Sequence, residues 1–199
     1  MHSDRVSEAA RVVSEGGVLL YPTATVYGLG GDPNVPAVLE RIRALKGRDA
    51  DKPMLVLTDE WARAEHWIAN VTPLHNRLMA FDGPLTILFD ASPDVPAALR
   101  GGSPLIGIRR TRDAFCRAVI TQSGRLLCST SANKAGDPSP ATFSTIHPDL
   151  LARVDLAVDA GSPLGGAPST VAGLRDGSLV IYRAGAVSEE ELAAWLESG

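Results

Sequence analysis

Several separate stretches carry side chains able to grip a small polar or anionic ligand. LLCSTSANKAGDPSP (126–140) starts as an apolar run and empties into Ser129, Ser131 and Asn133. These three alternate, so persisting strand geometry would put them on one face. Hydroxyls and amides do little acid–base work alone, but they are good fixed donors to phosphate or carboxylate oxygens. A simple turn is the competing reading. LKGRDADKP (45–53) gathers Lys46, Arg48 and Lys52 just past an expected helix end. Cations there complement the helix dipole. Three within one short stretch exceed that need, and an Arg fork beside Lys point charges suits a polyphosphate.

YPTATVYGLGGDP (21–33) ends a strand and then presents Thr23 and Thr25. Ligands of open α/β sheets sit at such carboxyl ends. A glycine-bearing strand-to-helix loop explains the stretch about as well. GIRRT and IYRAG place Arg109 and Arg183 in apolar strands, where a guanidinium is costly unless it meets an anion. Arg109 and Arg110 fall on opposite faces.

Much familiar chemistry is missing. There is no GxxxxGKS/T phosphate loop and no GxSxG elbow, and GLGGDP lacks the GxGxxG spacing. His2, His66, His75 and His147 match no metal-ligand spacing. Cys116 and Cys128 form no CxxC pair and suit a reducing compartment, with Cys116 read as core packing. The N-terminus has no apolar signal core and no segment approaches a membrane span, so a cytoplasmic protein is expected. The net charge of −4 argues against a general nucleic-acid field, though not against a local basic cleft.

The elements that must hold these residues read as alternating helices and strands. Ser3 or Asp4 caps a first helix ended by Gly16-Gly17; VLLYP is a buried strand; VPAVLERIRALKG is a helix stopped by Gly47. PMLVLT, PLTILFD, LIGIRR and RLLCS read as strands, and DEWARAEHWIA, PLHNRLMAFD and DAFCRAVITQSG as helices. DLAVDAG, STVAGL and SLVIYRAG are the last strands, the final two joined by a hairpin-type turn at Arg175-Asp176-Gly177. Ser188 and Glu191 have capping-box spacing for a last helix. AGSPLGGAP (160–168) is a surface loop and a candidate lid. The 199 residues, 45% of them hydrophobic, imply one α/β domain over residues 1–199 with a mixed sheet.

Together these stretches resemble the threonylcarbamoyl-AMP synthase family, the YrdC-like domain, in its short form without a C-terminal extra domain. The resemblance runs from GGVLLYPTATVYGLGGDP through KGRDADKPMLVL, GPLTILF, IGIRR, STSANKAGDPS and PSTV to IYRAGAVSEEEL. It implies a twisted mixed sheet with flanking helices around a large concave cleft. It implies synthesis of threonylcarbamoyl-AMP and pyrophosphate from L-threonine, bicarbonate and ATP with Mg²⁺. The product would serve tRNA threonylcarbamoyladenosine modification through partner proteins, with weak RNA contact by this chain. The family's KxR and SxN elements fall on Lys46, Arg48, Ser131 and Asn133, expected to be catalytic and ATP-binding. Lys52, Ser139 and Arg183 match further ATP contacts. Thr25, Arg109, Ser129 and Ser169 match the threonine-binding positions. Departures from the pattern are Ala24 and Gly173 where acids are common, Leu57 where some members have histidine, and Asp82 and Thr111 where proline is common. A catalytically weak paralogue binding nucleotide or RNA is the alternative. A carbamoyl-transfer domain like those of hydrogenase-maturation proteins is a further rival, set aside because no zinc-finger or acylphosphatase module accompanies it.

Overall fold

The computed structural model describes residues 2–47, 52–162 and 164–198. In chain order the elements are α1 (His2–Ser14), β1 (Leu19–Tyr21), β2 (Gly28–Gly31), α2 (Pro36–Lys46), β3 (Leu55–Thr58), α3 (Trp61–Ala64), β4 (Ile68–Ala69), α4 (Pro73–Ala80), β5 (Leu85–Ala91), α5 (Ala97–Arg100), β6 (Leu105–Arg110), α6 (Ala114–Ser123), β7 (Leu127–Ser131), α7 (Pro148–Arg153), β8 (Leu156–Ala157), β9 (Thr170–Arg175), β10 (Ser178–Arg183) and α8 (Glu189–Glu197). Among the described residues the strands form one mixed sheet in the order β10-β9-β5-β6-β3-β7-β2-β1-β8, with β4 on β5. The β1–β8, β3–β6 and β5–β9 pairs are parallel and the remainder antiparallel.

Register divides the side chains between two faces. Val56, Ile87, Ile108 and Cys128 align on one face and join the larger core, with Leu39 and Ile42 of α2 and Leu78 of α4. Leu57, Arg109, Leu127 and Ser129 align on the other. There α1 and α6 cover only part of the sheet, where Val13, Phe115, Cys116 and Ile120 meet Leu19, Tyr21 and Leu127. Beyond them the same face stays open, and that opening is the cleft.

Local signals explain most boundaries. Gly47 closes α2 in the left-handed region at φ 59°. Asp113 caps α6 by accepting from the Cys116 N–H at 2.9 Å, and Ser188 caps α8 by accepting from Glu191 N–H at 3.1 Å. Asp176 (φ 51°) and Gly177 (φ 76°) make the two-residue turn between β9 and β10.

Three expectations are corrected. The helix read in DEWARAEHWIA is one short turn, α3, then a 3-10 turn at Glu65–Trp67 and then β4. Burial of Trp67 and pairing of Ile68–Ala69 with β5 override the helical period. Ser3 and Asp4 lie inside α1, which begins at His2, and do not cap it. GLGG, read as loop, is strand β2. Glycine is poor in strands, but a Cβ on Gly30 would lie 1.9 Å from the Cys128 carbonyl oxygen. The close approach to β7 therefore requires glycine there. Both cysteines are buried and free, as a packing role predicts. No helix among the described residues is long and apolar enough to cross a membrane.

Candidate active site

A cavity of about 540 Å³ opens on the uncovered face of the sheet, within the range of small-molecule sites. Leu57, Leu88, Gly107 and Val171 contribute to its lining. Leu88, Gly107 and Val171 carry no polar side chain, and sheet register rather than residue type shows that they face the cavity. Thr25, Lys46, Lys52, Arg109, Ser129, Ser131, Asn133, Ser139, Ser169 and Arg183 all line the same cavity. Arg48 lies outside the described residues.

The polar lining forms three groups. In the first, Lys46 is the last residue of α2 and is buried. Its Nζ donates to the main-chain oxygens of Ser131 and Asn133 and, at 3.3 Å, to Asn133 Oδ1. The Asn133 amide donates to the Lys134 and Asp137 carbonyls at 2.9 and 2.7 Å. Two expectations change here. Lys46 is a buried strut within the helix rather than an exposed cation past its end. Asn133 sits in the turn after β7, so only Ser129 and Ser131 share the strand face.

In the second group, Arg109 Nη1 donates to Thr25 Oγ1 at 3.3 Å, and Thr25 Oγ1 lies 3.0 Å from Thr23 Oγ1. The Arg109 side chain is buried, its Nε has no partner, and among the described residues it makes no ion pair. Burial pulls its pKa below the usual arginine value, and neighbouring Arg183 adds to this. In the third group, Thr86 Oγ1 and Ser169 Oγ are 2.9 Å apart, and Arg183 donates to the Ser169 carbonyl and hydroxyl at 2.7 and 3.1 Å. Arg183 itself is exposed at the end of β10, so it does not carry the burial cost expected for an arginine inside a strand.

Sequence reasoning missed Tyr27 and Thr86. Tyr27 lines the cavity and donates to Asp159 at 3.1 Å while accepting from Ala160 N–H at 3.0 Å. Gly166 N–H donates to the Thr25 carbonyl at 2.7 Å. The loop read as a lid is thus hydrogen-bonded across the Thr25 loop; its Pro163 lies outside the described residues.

The departures have local accounts. Ala24 is exposed, so an acid there would stand in solvent. The Thr111 N–H donates to the Thr58 carbonyl at 2.8 Å, a bond proline could not make. Asp82 pairs with Arg112 at 2.6 Å on the surface. A Cβ on Gly173 would meet Leu88 Cβ at 2.9 Å and Tyr182 at 3.3 Å. Gly173→Asp therefore forces Leu88 aside; we expect it to cost about 1–3 kcal/mol, read from denaturant unfolding. Parental stability would show that Leu88 yields freely.

The family model Sua5/YciO/YrdC, described as "Telomere recombination", matches residues 11–185. A threonylcarbamoyl-AMP synthase of Nitrosococcus oceani is 34% identical over 175 residues, covering 87% of this chain and 93% of that protein. The Pyrococcus abyssi Sua5 structure complexed with L-threonine superposes with a TM-score of 0.91 at 28% identity. That match covers 96% of this chain but 57% of the larger archaeal chain. Escherichia coli YciO superposes with a TM-score of 0.84 at 25% identity, covering 95% of this chain and 93% of that one.

Proposed function

The chain belongs to the Sua5/YciO/YrdC family, and on that premise we propose that it is an L-threonylcarbamoyladenylate synthase, a nucleotidyltransferase-type enzyme. Its substrates are L-threonine, bicarbonate and ATP, and its products threonylcarbamoyl-AMP and pyrophosphate. The observation that carries this reading is the meeting in one cavity of buried Arg109, which makes no ion pair among the described residues, with Lys46, Lys52, Ser131 and Arg183. Such a hollow offers separate cationic places for an amino-acid carboxylate and for phosphates.

The assignments follow from position. Arg109 clamps the threonine carboxylate through its fork. Thr25, Ser129 and Ser169 read the small polar body of the substrate. Lys52, Ser131, Ser139 and Arg183 address the nucleotide, with Lys46 and Asn133 fixing the turn that follows Ser131. Arg48 joins them by its place in the KxR motif. Bicarbonate takes up the proton that the threonine ammonium releases and loses water to give carbon dioxide; the free amine adds to it and sheds a second proton to solvent, forming a carbamate. A carbamate oxygen then attacks the α-phosphorus, the bond to the bridging oxygen breaks, and pyrophosphate leaves. No covalent enzyme intermediate is needed, so the side chains position reactants and offset growing charge. Mg²⁺ enters as part of the nucleotide substrate. The described cavity lining has hydroxyls and cations but no carboxylate, which fits a metal held by the phosphates. Partner proteins would pass the threonylcarbamoyl group to tRNA in the cytoplasm, with weak RNA contact by this chain.

Pyrophosphate release is the test. We expect it to require threonine, bicarbonate and ATP·Mg²⁺ together. Release that persists without threonine or without bicarbonate would sink the assignment.

A further inference from the structure

Tyr21 ends β1 with its side chain wholly buried, beside the cavity but outside its lining. Its hydroxyl is 2.8 Å from Ser129 Oγ, which is in the lining. The two residues are on non-adjacent strands, with β2 between them. Neighbouring strands lie about 4.8 Å apart, so the ring must cross over β2 to reach β7. It does so over two glycines on the same face. A Cβ on Gly28 would lie 3.1 Å from Tyr21 Cζ and 3.3 Å from Ser129 Oγ, and one on Gly30 would lie 3.1 Å from Tyr21 Oη. Gly28 and Gly30 thus leave room for this contact, Gly30 also admitting the Cys128 carbonyl of β7. Neither the motifs nor the cavity lining assigns Tyr21 a part.

We infer that Tyr21 is a positioning residue that sets the hydrogen-bond polarity of Ser129, so that Ser129 presents its proton to a negatively charged oxygen on the amino-acid part of the substrate. The inference rests on the synthase reading and deepens it. A phenol has one proton, and a wholly buried hydroxyl needs a partner for it. Among the described residues, Ser129 Oγ is the acceptor within reach. Were the serine the donor, the phenol proton would be orphaned, a penalty of about five- to a hundred-fold in population. Burial also keeps the phenol protonated, since it pushes that group well above its ordinary pKa. With one lone pair of Ser129 filled by Tyr21, its own O–H is left to turn into the cavity. There it joins buried Arg109, also a donor, on the same face of the sheet. Two donors lining one cavity from the same face favour an acceptor such as a carboxylate or carbamate oxygen. They discriminate against ligands that put a donor there.

The test is Tyr21→Phe, alone and with Ser129→Ala, in the full chain. In steady-state pyrophosphate release Y21F should raise KM for threonine about tenfold, with KM for ATP changed less than twofold. In the S129A background, adding Y21F should change the threonine KM by less than twofold, because the serine through which Tyr21 acts is gone. A parental threonine KM in Y21F overturns the inference. So does an equal Y21F effect in both backgrounds, which would mark the ring as packing only. If the parent turns over but Y21F behaves as parent, only this inference fails. If the parent shows no threonine-dependent release, the synthase reading fails and takes the inference with it. Should Y21F not fold, S129A alone decides by NMR. The Tyr21 hydroxyl proton should exchange slowly with solvent in the parent and faster in S129A, and unchanged exchange overturns the donor assignment.

Discussion

Arg109→Met should abolish threonine-dependent turnover while leaving the protein at least as stable as the parent. The two effects have one cause. The Arg109 guanidinium is buried, its Nε meets no partner, and its contact with Thr25 is long at 3.3 Å. Removing such a cation from the interior relieves a desolvation cost, and a methionine of similar length keeps the packing. A gain of about 1–2 kcal/mol is expected, read as a higher Tm. A charge-assisted fork to a substrate carboxylate, by contrast, contributes several kcal/mol to the bound complex, so kcat/KM for threonine should fall about 10³-fold. Arg109→Lys keeps the charge but not the fork and should lose about 10²-fold. A clear drop in Tm with much of the activity kept would contradict the argument, because it would make Arg109 a structural cation.

The same residue shows how far the sequence could be read. Arg109 in the apolar strand GIRRT already suggested an anion, since strand alternation turns it away from Arg110. Local signals were equally readable at Gly47, at Ser188 and at the Asp176-Gly177 turn. What failed depended on contacts between distant segments. β2 could not be seen because Gly28 and Gly30 answer to Tyr21 and Cys128, not to strand propensity. α3 stops early because Ile68–Ala69 pair with β5. Leu88 and Val171 could not be placed in the cavity because nothing local says that α1 and α6 leave their face uncovered. Arg183 resembles Arg109 in the sequence, but its strand is an edge of the sheet and the side chain is exposed.

Lys46 shows how a motif residue can act through structure. Lys46→Met should lose both stability and nucleotide affinity, and the two losses should travel together. The ammonium is buried and joins the end of α2 to the turn after β7 through the Ser131 and Asn133 carbonyls. The main chain reinforces the joint, with Ala135 N–H donating to the Lys46 carbonyl at 2.9 Å. Methionine fills the volume but strips the part-buried Asn133 carbonyl of the Lys46 donor and leaves the Ser131 carbonyl with only the Asn133 N–H, at about 1–3 kcal/mol for each group affected. A total near 3 kcal/mol is expected, seen as a markedly lower midpoint in denaturant with an unchanged slope. The turn that loosens begins at Ser131, the end of β7, and leads to Ser139, so KM for ATP should rise at least tenfold while threonine binding measured without ATP changes less. Lys46→Arg retains the charge but spreads its donors over a plane, and cannot aim them at acceptors gathered around one point; it should restore solubility before activity. If Lys46 acted only as a free phosphate ligand, K46M would lose ATP affinity at parental stability. That single combination separates the two roles.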